Sequence, residues 1–224
     1  DNPKKEKYLG IIFNYPQNEK KYRNVVVKNK IINKEKIGVG LIGSGNFARS
    51  VILPNLTKIE DFELIGLSTS GSTSAGQTIK KYNFKYSTTD YKKLLEDKDI
   101  NLIIISTPHN THAKFVIEAL DAGKHVYVEK PLAINMEQLE KIKEAYERND
   151  QHLIVGFNRR FSAFAKWIKE QLQTDKYTTI IQYTINAGEI PKDHWINDPN
   201  VGGGRIIGEV CHFVDFCQYL TDSK

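Results

Sequence analysis

Glu209, His212 and Asp215 stand at three-residue intervals in the stretch VGGGRIIGEVCHFVDF, residues 201–216. On a helix, residues three apart share a face, so Glu209 and His212 are expected to be neighbours. A neutral imidazole can take a proton near physiological pH, and an adjacent carboxylate raises its pKa and orients the ring. His212 is therefore a candidate general base, a role worth roughly 10²–10⁴ in rate, with Glu209 beside it. A plain polar stripe on a helix is the competing reading. Lys130 offers the complementary chemistry. Pro131 disfavours a helical backbone at its predecessor, which holds Lys130 extended at the end of the strand-like KHVYVE. An ammonium there can hydrogen-bond a hydroxyl and stabilise alkoxide character as hydride leaves its carbon.

A second constellation precedes these. Gly43-Ser44-Gly45-Asn46-Phe47-Ala48 matches G-x-G-x-x-A between the apolar run IGVGLI and a helical pattern. Gly43 permits the tight turn, Gly45 lets a pyrophosphate approach the backbone, and Ala48 lets helix and strand pack closely. Free N–H groups at the helix start, at Asn46 and Phe47, then face the phosphates. NAD sites usually carry an acid at the end of the second strand to grip the ribose hydroxyls. Here that place reads Leu67-Ser68-Thr69-Ser70-Gly71. Hydroxyls suit a 2′-phosphate, but no arginine stands beside them and Lys80 and Lys81 lie a helix away. The cofactor expected is NAD(P), with a slight lean to NADP.

The elements that must position these residues follow from periodicity. IGVGLI, FELIGLS, LIIIST and KHVYVE are apolar without alternation, as strands covered on both faces are. Helical patterns stand between them, which predicts a parallel sheet with right-handed crossovers. NMEQLEKIKEAYERND reads as an amphipathic helix turning Ile134, Leu139, Ile142 and Ala145 to the core. HLIVGF and a long strand, YTTIIQYTINAG, follow, and the helix from about Ile207 is expected to turn Val210, Val214 and Cys217 to the core, with Phe213 a further candidate. The fold class is α/β: a Rossmann-type doubly wound parallel sheet followed by the start of an α+β substrate domain. Residues 37–150 form the dinucleotide-binding unit, 151–224 the first part of a substrate domain, and 1–36 an extension with two short strands, LGIIFNY and YRNVVVK, and the linker NKIINKEK.

Composition bounds the partners. The net charge of +5 is local: residues 1–36 hold 10 Lys/Arg against 4 Asp/Glu, and the other 188 hold 22 against 23. That arrangement reads as a solvated basic arm, and nucleic acid is not the expected partner. Cys211 and Cys217 form neither a metal-type pair nor a disulfide framework, so no metal site and a reducing, cytoplasmic setting are expected. No apolar run spans a membrane. The chain begins without Met, consistent with a piece of something longer.

Glu129-Lys130-Pro131 after a strand, with STPHNTHA one unit upstream, resembles the Gfo/Idh/MocA family of NAD(P)-dependent sugar and cyclitol oxidoreductases. GSGNFA, STPHNTHA, EKP and GGGRIIGEVCHFVD carry the resemblance in order, from about Ile37 to Leu220. VGFNRRF, NAGEIPKDHW and GRIIGEVCHFVD are similar to one subgroup, in which this module follows a zinc-alcohol-dehydrogenase-like domain in bi-domain proteins associated with polysaccharide synthesis. The resemblance implies hydride transfer on a sugar, cyclitol or nucleotide-sugar, with Lys130 as the polarising acid before an often cis Lys-Pro bond. It also implies a homo-oligomer formed through the substrate-domain sheet. The family carries an Asp four residues before the histidine, where this chain has Gly208. That departure keeps a non-catalytic dinucleotide-binding regulatory or partner module as the alternative. Asp215 is expected to bond neighbouring backbone. Thr107, Pro108, His109 and His112 would flank the nicotinamide, with Glu129 and Lys130 beside it, although backbone contacts or a helix cap suit the two histidines equally. Arg160, His194 and Trp195 would meet the substrate, although an ion pair suits Arg160 equally, and His125 and His152 are read as structural.

Overall fold

The computed structural model describes residues 24–26, 35–173 and 179–223. Among them, seven strands form one sheet: β1 (Asn24–Val26), β2 (Ile37–Ile42), β3 (Phe62–Ser68), β4 (Tyr86–Thr88), β5 (Leu102–Ile105), β6 (His125–Val128) and β7 (Leu153–Val155). Their spatial order is β1-β4-β3-β2-β5-β6-β7. The six strands β2 to β7 are parallel, and β1 pairs antiparallel with the edge strand β4. Without β1, this is the Rossmann order, in which the chain first runs one way from β2 and then returns to run the other way. The first expected N-terminal strand, LGIIFNY, and residues 29–34 of the linker NKIINKEK lie outside the described residues.

Alternate residues of the central strands feed two cores. Val39 and Leu41 of β2 join Leu64, Leu67 and Ile104 against Ala48, Leu53 and Ile79. Ile42 joins Ile65, Ile103 and Ile105 on the other face, against Val116, Leu120 and Ile142. Both faces are covered, which is why these strands read as unbroken apolar runs. The covering helices are α1 (Leu53–Leu56), α2 (Ser72–Tyr82), α3 (Lys92–Glu96), α4 (His112–Asp121) and α5 (Met136–Glu147). A π-helical turn, Ala48–Ile52, leads into α1.

Helix α5 starts on a reciprocal cap. The Asn135 side chain accepts from the Gln138 N–H at 2.9 Å, and Gln138 Oε1 accepts from the Ile134 N–H at 3.1 Å. Asn135→Ala should lower stability by about 1 kcal/mol, read as a shifted urea midpoint with unchanged slope. Of the residues expected to face the core here, Ile134, Ile142 and Ala145 are buried, whereas Leu139 is 38% exposed. It sits on the rim of the apolar stripe rather than at its centre.

After β7 come α6 (Ala163–Gln173) and α7 (Cys211–Thr221), which pack on each other. Lys169 Nζ joins them by donating to the Tyr219 carbonyl at 2.8 Å. Two expectations fail in this region. The described part of YTTIIQYTINAG, residues 179–188, carries no strand ladder, and Ile180 is 92% exposed. An extended segment becomes a strand only when a neighbour satisfies its backbone groups, and none lies beside it among the described residues. Val210 and Val214 are exposed too, while Gly208, Asp215 and Leu220 are buried. A π-helical turn, Ile206–Val210, precedes α7 and shifts the angular phase that a regular helix would have kept.

Candidate active site

A cleft of about 1000 Å³ opens at the carboxyl ends of the strands, at the switch point between β2 and β5 where such sheets bind ligands. Gly43 closes the turn out of β2, donating its N–H to the Ser68 carbonyl at 2.8 Å. Its φ of 91° is a left-handed value, and a Cβ there would lie 2.2 Å from the Ser106 carbonyl oxygen. A Cβ on Gly45 would meet nothing within 4 Å, so this glycine keeps space clear for something other than the chain itself. Between them, the buried Ser44 Oγ has no hydrogen-bond partner among the described residues. An open backbone, a helix start and a waiting hydroxyl fit the pyrophosphate of a dinucleotide.

Every residue singled out for cofactor binding lines this cleft: Gly43, Gly45, Asn46, Phe47, Ser68, Thr69, Ser70, Thr107, Pro108, His109, His112, Glu129 and Lys130. His212 and Trp195 join them, and Glu209, Arg160 and His194 do not. Glu209 Oε2 accepts from Arg205 Nε at 2.7 Å, one helical turn back. Arg160 forms a two-pronged ion pair with buried Asp215, Nε donating to Oδ2 at 3.0 Å. Asp215 thus bonds a side chain where neighbouring backbone was expected. His194 Nδ1 accepts from the Ile196 N–H at 3.3 Å and caps the short turn Trp195–Asn197. Arg49, Thr89, Tyr91 and Phe115 also line the cleft and escaped the sequence reading. Only Arg49 offered a signal, since it directly follows the glycine motif.

Lys130 and His212 occupy the same end. The Lys130–Pro131 bond is cis, and Lys130 Nζ donates to the Gly208 carbonyl at 2.7 Å. An ammonium has three donors, so two remain for a ligand. Buried Nδ1 of His212 has no hydrogen-bond partner among the described residues. Its pKa is lowered to about 4 by burial, then by the Lys130 and Arg159 charges, against an opposing pull from Asp215. The raised value expected from Glu209 is not found: burial dominates at His212, and the Glu209 carboxylate, paired with Arg205, acts on His109 instead.

The place of the missing acid is closed. A Cβ on Gly208 would lie 3.1 Å from Cε1 and 3.3 Å from Nδ1 of His109. His109 is buried, donates Nδ1–H to the Gly202 carbonyl at 2.9 Å and meets Trp195 edge-on with centroids 4.8 Å apart. Burial lowers its pKa to about 4. Fully buried His112 lies between the Pro131 carbonyl (Nδ1, 2.7 Å) and the Thr107 carbonyl (Nε2, 2.9 Å), tying the EKP loop to the loop after β5. Glu129 is buried and accepts from the Tyr127 hydroxyl at 2.9 Å, and burial raises its carboxyl pKa. His125 and His152 stack 5.1 Å apart at the opposite ends of their strands.

These imidazoles make the fold acid-sensitive. The unfolded chain protonates His109 and His212 near pH 6.5, while the folded chain holds both neutral down to about 4. The unfolded state therefore binds more protons in that window, and stability falls as pH drops through it. Thermal midpoints should decline between pH 7 and 4.5, and less steeply in a His109→Asn/His212→Asn variant. Parallel curves for the two proteins would refute this assignment.

A family model described as "Oxidoreductase family, NAD-binding Rossmann fold" (GFO_IDH_MocA) matches residues 37–157. Myo-inositol 2-dehydrogenase of Thermotoga maritima is 28% identical over 188 residues, covering 83% of this chain and 55% of that protein. The crystal structure of an oxidoreductase domain protein from Kribbella flavida superposes with a TM-score of 0.74 at 26% identity, over 84% of this chain and 53% of that one. Levoglucosan dehydrogenase in complex with NADH and levoglucosan does so with a TM-score of 0.73 at 25% identity, over 83% and 54%. The chain thus spans about half the length of the relatives it matches.

Proposed function

The chain belongs to the Gfo/Idh/MocA oxidoreductase family with its NAD-binding Rossmann fold, and from that premise we propose that it transfers hydride between a nicotinamide dinucleotide and a hydroxyl-bearing carbon of a sugar, cyclitol or nucleotide-sugar. The observation that carries this reading is the convergence of the glycine turn, Lys130 and His212 on one cleft. Polyhydroxylated rings are the favoured substrate class because relatives are named for myo-inositol and levoglucosan.

When bound, the nicotinamide supplies the acceptor or donor of the hydride. Gly43, Gly45 and the helix start beyond them would hold the phosphates. Lys130, anchored by one donor on the Gly208 carbonyl, would turn its other protons to the substrate oxygen and stabilise negative charge there. His212, neutral at physiological pH, would take the hydroxyl proton in oxidation and return it in reduction. His109 and His112 would fix the loop after β5 against the reacting end. Trp195 would give the sugar ring an aromatic face. Residues 37–150 would serve as the dinucleotide unit, and 151–224 as the first part of a substrate domain through whose sheet copies of the protein associate.

The test is a parallel fluorescence titration with NADH and NADPH, followed by NAD(P)⁺ reduction assays with myo-inositol and levoglucosan. Saturable dinucleotide binding and turnover on one polyol support the reading. No binding of either dinucleotide by a chain with a cooperative melting transition overturns it.

A further inference from the structure

The cleft contains a cation that comes from a different element than the end of β3. Arg49 lines the cleft together with Ser68, Thr69, Ser70 and Gly71 at the end of β3. The guanidinium donates from Nη2 to Asn46 Oδ1 at 2.8 Å, a neutral acceptor that steers the side chain without cancelling its charge. From behind, the Tyr82 hydroxyl at the end of α2 donates to the Arg49 carbonyl at 2.8 Å, fixing the backbone that carries it.

Other described arginines are spoken for. Arg148 pairs with Asp121, Arg160 with Asp215 and Arg205 with Glu209, while Arg159 lies over the Phe213 ring. Arg49 makes no ion pair within 4 Å among the described residues and is the arginine that lines the cleft. A guanidinium carries five N–H donors, and one is used by Asn46. The carboxylate among the lining residues is Glu129, beside Lys130 at the other end of the cleft. An acid after β3 would bond ribose hydroxyls and repel a 2′-phosphate. Hydroxyls stand there instead, with an uncompensated arginine that suits a phosphate bidentately.

We propose that Arg49, assisted by the Ser70 hydroxyl, binds the adenosine 2′-phosphate and makes the cleft selective for NADP(H) over NAD(H). The inference rests on the dinucleotide reading above, and it assigns the choice between the two cofactors to one side chain from a different element than the β3 terminus.

Calorimetric titration of the intact chain with NADPH, NADH, 2′,5′-ADP and 5′-ADP separates the claims, using wild type, Arg49→Ala and Arg49→Lys. Wild type should bind NADPH at least about tenfold tighter than NADH, and Arg49→Ala should weaken NADPH and 2′,5′-ADP by roughly 10- to 100-fold. NADH and 5′-ADP should shift by no more than about twofold, since they lack the group that Arg49 contacts. Arg49→Lys, which keeps charge but not the fork, should fall between. Equal losses for NADPH and NADH, an unchanged NADPH affinity, or a wild-type preference for NADH would each overturn the assignment while leaving the dinucleotide site standing. Failure of wild type to bind any of the four ligands would overturn the dinucleotide reading and this inference with it.

Discussion

A Gly45→Val variant should keep the stability of the wild type and lose dinucleotide binding by roughly 100-fold or more, since the second glycine of this motif is where the backbone and the pyrophosphate meet. What a side chain would encounter decides the outcome. Around Gly45, a Cβ finds no atom within 4 Å, so the folded chain has no objection to it. A bound pyrophosphate would. Gly43 supplies the contrast. Its φ is 91°, and a Cβ would lie 2.2 Å from the Ser106 carbonyl, so Gly43→Ala should strain the protein with or without ligand, by about 1–3 kcal/mol for the backbone conformation alone. Thermal melts and NADPH titrations of both variants give the check. Undiminished binding by Gly45→Val would place the dinucleotide elsewhere, and an unfolded Gly45→Val would remove the claim that only a ligand uses that space.

The second large effect belongs to Lys130. In the proposed hydride transfer, Lys130→Ala should reduce turnover by about 10²–10⁴. Dinucleotide affinity should move by less than roughly tenfold, because one contact of many is lost. Lys130→Arg should recover little, since a planar fork cannot reproduce the compact ammonium between the Gly208 carbonyl and a substrate oxygen. Turnover within a fewfold of wild type in Lys130→Ala would exclude the lysine as the polarising group. A parallel collapse of dinucleotide affinity would instead make Lys130 chiefly a cofactor anchor.

Gly208 bears on the same chemistry. The family resemblance leads one to expect an acid there, yet the chain uses that position in two other ways. Its carbonyl receives Lys130, and the space beside its Cα is taken by the His109 ring. Lys130 is therefore oriented by a backbone dipole. No lone carboxylate is required for that, and the adjacent Glu209 is engaged with Arg205.

Much of this protein was legible along the chain. The doubly wound sheet follows from unbroken apolar strands alternating with amphipathic helices, because burial on both faces removes the polar alternation that one solvated face would impose. The glycine turn was legible because its residues are contiguous and each answers to a local backbone requirement. Lys130 was legible because Pro131 constrains it from the next position. These are short-range dictates. Side-chain partnerships were not legible to the same degree. Arg160 reaches Asp215 across 55 positions, and Lys130 reaches Gly208 across 78. Glu209 and His212 look like partners at three-residue spacing, but the π-helical turn alters their phase and Arg205 competes for the carboxylate. Burial, too, depends on the opposite surface. It left Val214 and most of the segment 179–188 exposed despite their apolar character, and it lowered the pKa of His212 where local spacing pointed upward. Arg49 joins the hydroxyls at the end of β3 only because β2 and β3 lie side by side in the sheet. Local order along the chain accounts for the strands and helices of the Rossmann unit and for the glycine turn and Lys130 that they carry, since those answer to neighbouring residues. Contacts across the fold settled which charges meet and which imidazoles stay neutral, since those depend on distance and desolvation in three dimensions.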